Sequence, residues 1–152
     1  MPLTTARFLK PNLPKRKRVP AQKRKLVAMP VIKNNSLALK FAKYWLPVII
    51  YAILIFYISS IPGENIPLLF WGQDIAFHII EYAFFALLIN RALKEYYPRQ
   101  SQVKRFLWVF AVAIIYALSD EFHQSFVPYR TASAFDIAID GIGIFFAHIF
   151  YR

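Results

Sequence analysis

Beyond Lys43 the chain is organised by four long apolar stretches separated by short polar or turn-forming breaks. The first runs from about Tyr44 to Ile58 (YWLPVIIYAILIFYI), the second from about Ile75 to Leu93, the third from Phe106 through the polar end at Phe126, and the fourth from about Ala134 to Tyr151. Each approaches the roughly 17 to 25 residues that a helix needs to cross a bilayer, the first once Lys40 and Lys43 are allowed to snorkel. The first break is IPGENIP, where Pro62, Gly63 and Pro67 forbid a continuing helix, and the second contains Pro98 and RQSQ. Ser133 and Asp136 have the S-x-x-D form of a helix N-cap and set the start of the fourth segment. The pattern therefore predicts an all-α fold, a polytopic membrane bundle of about four transmembrane helices, with no internal repeat.

Composition strengthens that expectation. Of 152 residues, 58% are hydrophobic and only 18% charged, too apolar for a soluble domain, in which about a quarter of residues are charged. The lipid bilayer is the implied partner. There is no cysteine, which excludes a disulfide framework, a thiolate nucleophile and a thiolate metal site.

The net charge of +11 resembles a nucleic-acid signal until its distribution is considered. Twelve of the nineteen basic residues precede Tyr44, where no acidic residue occurs, and the other seven face all eight acidic residues. Residues 1–43 hold half of the ten prolines and the block KRKR at Lys15–Arg18. Such a segment has too little apolar surface to offset its ordering entropy, so it reads as a disordered, basic, cytoplasmic tail preceding a transmembrane domain over 44–152. A role for it on nucleic acid is not expected, and its long basic stretch does not fit a cleaved signal peptide.

Orientation follows from the connections, because cytoplasmic loops carry the Lys and Arg. The 59–73 break has none, the region of Arg91, Lys94, Arg99, Lys104 and Arg105 has five, and the third connection has only Arg130. This alternation predicts a plasma-membrane protein with both termini cytoplasmic. It also brings Ser59, Ser60, Asp74, Asp120, Glu121, Gln124, Arg130 and Asp136 to the outer side. Spacing groups them further. Asp74, His78 and Tyr82 recur every fourth residue, with Glu81 beside them; Asp120, His123 and Gln124 share one helix face, with Glu121 next to it; Asp136, Asp140, Gly143 and Ala147 form a stripe that turns from polar to small. Translocon scales charge about 2.5 to 3.5 kcal/mol for Asp, Lys or Arg at a helix centre, so these side chains must face one another or water. Simple pairing that holds helices together would also satisfy them.

The stretch DEFHQSFVPYRTASAFDIAIDGIG, Asp120 to Gly143, resembles the signature of VanZ-like membrane proteins: an acidic pair followed by His-Gln, a Pro-Gly-Arg turn, and an Asp four residues before an Asn or Asp preceding Gly. SSIPG at Ser59–Gly63 and the Asp74, His78, Tyr82 pattern resemble two further pieces of that family, so the likeness spans about Trp45 to Tyr151. Tyr129 replaces the usual Gly of the turn, Ile75 stands where Lys often follows the Asp, and Asp140 replaces the commoner Asn. The resemblance implies a link to the cell envelope, since the family's namesake lowers susceptibility to the glycopeptide antibiotic teicoplanin.

From residue types, Glu121, His123 and Asp136 are the candidates for catalysis, and Asp74, His78, Asp120, Gln124, Arg130 and Asp140 for ligand binding. The cluster suits either a divalent metal ion or a metal-free acid/base pair. Arg130 suits an anionic headgroup or pyrophosphate, which points to an anionic envelope lipid or precursor. A noncatalytic membrane scaffold and a small permease, the latter workable only as an oligomer, are the alternatives. The orientation has a direct test on this cysteine-free background. Cysteines placed at Asn65 and Ser125 should react with impermeant thiol reagents on intact cells and one at Ser101 should not; labelling at Ser101 would invert the topology.

Overall fold

A computed structural model of the protein describes residues 33–151. Four helices, α1 (Lys33–Ser59), α2 (Gln73–Tyr96), α3 (Gln102–Gln124) and α4 (Ala134–Phe150), run alternately up and down, with a 3-10 turn at Gly63–Asn65 after α1. No strand occurs among the described residues, in keeping with the all-α expectation. Leu37–Ser59, Gln73–Tyr96 and Gln102–Gln124 are long and apolar enough to cross a membrane. α4 is shorter: its 17 residues rise about 25 Å, the low end of the range of about 17 to 25 residues that crosses a bilayer.

The apolar pattern starts the first helix at about Tyr44, whereas α1 begins at Lys33, so residues 33–43 are helical and not part of an irregular tail. After Pro30 the chain has no glycine or proline until Pro47, and Leu37, Ala38, Lys40 and Ala42 are good helix formers, so nothing stops the helix from extending outward. The rest of the expected tail, residues 1–32, lies outside the described residues.

Pro47 sits inside α1 and has no N–H for the carbonyl of Lys43, four residues earlier. The Arg91 guanidinium of α2 donates to that carbonyl at 3.4 Å and supplies the missing partner. The same end of the bundle gathers basic and aromatic side chains. Lys40 pairs with Glu95 at 3.1 Å and lies over the Tyr96 ring, Arg91 lies over Tyr44, and Lys94 over Tyr151. Trp45 packs edge-on to Tyr96 with ring centroids 6.3 Å apart. This is the composition of an interfacial belt, apolar bodies with charged tips.

α2 is the central helix, presenting Tyr82, Phe85, Ala86, Ile89 and Leu93 to the other three. α3 answers with Val109, Ala113 and Ala117 at four-residue spacing, α1 with Val48 and Ile55, and α4 with Ile144 and Ala147. Ile53, Phe56, Ile115, Phe122 and Phe145 point outward, as lipid-facing side chains would. The most extensive packing is between α2 and α4. Its cause is the small stripe on α4: a Cβ at Gly143 would run into the Ile79 carbonyl of α2, so only glycine lets the two backbones approach this closely.

Gly143→Ala should therefore lower thermal stability in detergent by about 1–3 kcal/mol, the range expected for overpacking. Gly141→Ala, where a Cβ would meet nothing nearer than Ile114 Cδ1 at 3.8 Å, should be close to neutral. Equal effects of the two would contradict the α2–α4 contact.

Candidate functional site

The end of the bundle opposite the basic belt is where the polar residues meet. It is built from the C-terminus of α1, the N-terminal half of α2, the C-terminus of α3 and the start of α4. Two connections lock together over it. The Gly63 N–H donates to the Pro128 carbonyl at 3.1 Å, and a Cβ at Gly63 would collide with the Tyr129 carbonyl. Tyr129 takes φ 58°, the left-handed conformation that favours glycine, so a tyrosine holds this turn at the cost of strain. Arg130 follows at once. Its Nε donates to the Ile61 carbonyl at 3.3 Å and Nη2 lies 3.5 Å from the Ile58 carbonyl, holding it at the end of α1. The loop before α2 is fixed by Gln73, whose Oε1 accepts from the Leu69 N–H and whose Nε2 donates to the Pro67 carbonyl.

α3 divides its polar residues between two sides. Asp120, buried, accepts from the Ser59 hydroxyl at 2.5 Å and from Gln124 Nε2 at 3.0 Å. His123, on the same face, shares a 2.9 Å hydrogen bond with the Ser60 hydroxyl and stacks on Phe56, centroids 4.3 Å apart. Both interactions face α1 and explain the paired serines of SSIPG. Glu121 points elsewhere. Its Oε2 accepts from the Ser133 N–H at 2.8 Å, while the Ser133 hydroxyl accepts from the Phe135 N–H and caps α4 as the S-x-x-D pattern predicted.

Capping places Asp136 in the first turn of α4, beside Glu121, and both meet His78 of α2. One potential ligand atom from each of His78, Glu121 and Asp136 lies within 4.8 Å of the other two. One turn deeper, Asp140 is only 1% exposed, and its Oδ1 lies 2.9 Å from His78 Nδ1. His123 and Glu121 are two residues apart, about 200° around a helix, so His78 and not His123 is the imidazole beside Glu121 and Asp136. If a metal binds, these are the side chains able to hold it.

A cavity of about 430 Å³ opens next to this cluster. Its lining combines apolar side chains, Ile58, Ile61, Ile66, Phe77 and Ile80, with polar ones, Asp74, His78, Glu81, Gln124 and Arg130. Asp74 is exposed at the rim. Tyr82, the third residue of its stripe, is instead buried in the core with its hydroxyl unpartnered. Glu81 joins the cavity although the sequence signature does not include it; its place three residues after His78, on the same helix face, was the available signal.

Charge at this end is unbalanced. Seven of the eight acidic residues lie here, all except Glu95, against one arginine. Among the described residues the ion pairs are Lys40–Glu95 and His78–Asp140, so no lysine or arginine neutralises any of the seven.

A helical bundle with apolar outer faces and a buried polar cluster at one end is a polytopic membrane protein. The chain belongs to the VanZ/LLP1 family, whose sequence model matches residues 44–152. No curated protein and no solved structure matches the chain.

Proposed function

We propose that this VanZ-like protein sits in the plasma membrane with both termini in the cytoplasm, and binds an anionic, lipid-linked envelope precursor from the outer leaflet. The observation that carries the reading is the mixed lining of the cavity, in which Ile58, Ile61, Ile66, Phe77 and Ile80 share one space with Arg130 and other polar side chains. Such a surface matches an amphiphile, its chain against the isoleucines and its headgroup against the guanidinium. Arg130 is held only through backbone carbonyls, with no carboxylate in ion-pair range among the described residues. Its charge is therefore available to a phosphate or pyrophosphate, for which a planar guanidinium is well suited. The basic residues at the opposite end of the bundle, Arg91, Lys94, Lys104 and Arg105 among them, support an assignment of that end to the cytoplasm. Glu121, His78 and Asp136 lie close enough to the cavity for acid/base work on the bound headgroup, with His123 orienting the α1 end through Ser60. Altered susceptibility to a glycopeptide would follow from occupancy of a cell-wall precursor.

Binding should be measured on the full chain in nanodiscs of neutral lipid, with a polyprenyl diphosphate as the probe. Arg130→Gln should weaken binding at least tenfold, whereas Arg99→Gln, at the other end, should leave it unchanged. Wild-type binding no tighter than to the corresponding uncharged polyprenol, or equal binding by Arg130→Gln, would overturn the reading and favour a scaffold.

A further inference from the structure

His78, Glu121 and Asp136 come from three different helices, α2, α3 and α4, yet their ligand atoms lie within 4.8 Å of one another. Two further observations bear on what occupies the space between them. Glu121 is 4% exposed, and while its Oε2 accepts from the Ser133 N–H, its Oε1 has no hydrogen-bond partner. Asp140, 1% exposed, holds His78 through Nδ1 and leaves its own Oδ2 without a partner. A buried carboxylate oxygen without a donor costs about 1–3 kcal/mol or more, and no lysine or arginine reaches either group among the described residues. Protonation would remove the charge but add a further hydrogen that needs an acceptor. A cation bound to Glu121 removes its charge and occupies its free oxygen together, and draws Asp140 into balance through His78.

We infer that His78, Glu121 and Asp136 form a divalent metal site in which Asp140 is the outer partner of the histidine. A carboxylate on Nδ1 fixes the imidazole tautomer so that Nε2 presents its lone pair, and metal-ligating histidines almost always have a carboxylate, backbone carbonyl or water on the other ring nitrogen. One imidazole and two carboxylates suit a borderline ion such as Zn²⁺ better than Mg²⁺ or Ca²⁺, which prefer all-oxygen sites. Ligand atoms about 2.0–2.2 Å from zinc lie roughly 3–4 Å apart, so the cluster closes onto an ion by side-chain adjustments of about 1 Å. The ion would join α2, α3 and α4 at one point. Because His78 also lines the cavity, the metal's open coordination positions would face the proposed headgroup. The site itself does not depend on the lipid reading.

Zn²⁺ alone serves as the probe. The full chain, purified in detergent, stripped with a chelator and then equilibrated with Zn²⁺, is separated from free metal and its zinc counted by mass spectrometry. One zinc per chain is expected, retained in excess Mg²⁺ and Ca²⁺. His78→Gln and Asp136→Asn should each lose stoichiometric zinc, and Asp140→Asn should bind roughly 10- to 100-fold more weakly, the usual effect of losing an outer partner. His123→Gln should keep it. Folded wild-type protein without zinc overturns the inference, as does zinc that survives both His78→Gln and Asp136→Asn or depends on His123. Should the ligand variants fail to fold, the wild-type count and the His123→Gln count still decide. Loss of polyprenyl diphosphate binding in Arg130→Gln with zinc retained would separate failure of one site from failure of the other.

Discussion

Seven carboxylates share one end of a small membrane bundle with a single arginine, and most of what is unusual in this structure answers to that imbalance. In a soluble protein these groups would be solvated. Within the height of a bilayer those that are buried must find a donor, a counter-charge or a proton, since an isolated ion in a low-dielectric interior is too costly to persist. The chain satisfies the three buried ones one at a time. Asp120 has a serine hydroxyl and a glutamine amide, Glu121 has the first N–H before α4, and Asp140 has an imidazole. The oxygens left over, Glu121 Oε1 and Asp140 Oδ2, lie where three helices converge.

Backbone proximity makes this arrangement possible. Gly143 brings α4 against the Ile79 carbonyl of α2, which sets Asp140 beside His78, one turn nearer the end of the bundle. Gly63 allows the first connection to touch the third at Tyr129, and the left-handed conformation there aims Arg130 at the end of α1. Polar residues far apart in sequence are thus held by contacts in which no side chain could intervene. The sequence pieces that resemble the family, SSIPG, Asp-x3-His-x3-Tyr and the segment from Asp120 to Gly143, are the pieces that touch.

Much of this is legible in the amino-acid sequence. Hydrophobic runs locate the four helices, Ser133 marks the start of α4, and the alternating four- and three-residue spacing of Asp136, Asp140, Gly143 and Ala147 points to a closely packed stripe. Helix ends are less legible. Apolar residues report burial, and α1 continues outward to Lys33 through a stretch in which lysines interrupt the apolar run without stopping the helix. Partners across helices are not legible either. Periodicity shows which residues share a face but not which helix that face meets. Thus His123 sits with Asp120 in both sequence and space, yet the imidazole beside Glu121 and Asp136 comes from α2, 43 positions before Glu121. Tyr82 shares a stripe with Asp74 and His78 but lies deep enough to join the core.

The central claim is that buried carboxylates at this end are held by specific partners across helices, and the His78–Asp140 pair states it most sharply. A double-mutant cycle with His78→Leu and Asp140→Leu, read by unfolding of the metal-free protein in detergent with a chelator present, tests it directly. Removing one partner strands the other in a buried site, so each single change should cost about 3–5 kcal/mol, while the double change to apolar residues should cost less than either. Single losses that simply add in the double variant would show that the two side chains do not meet, and would contradict the account.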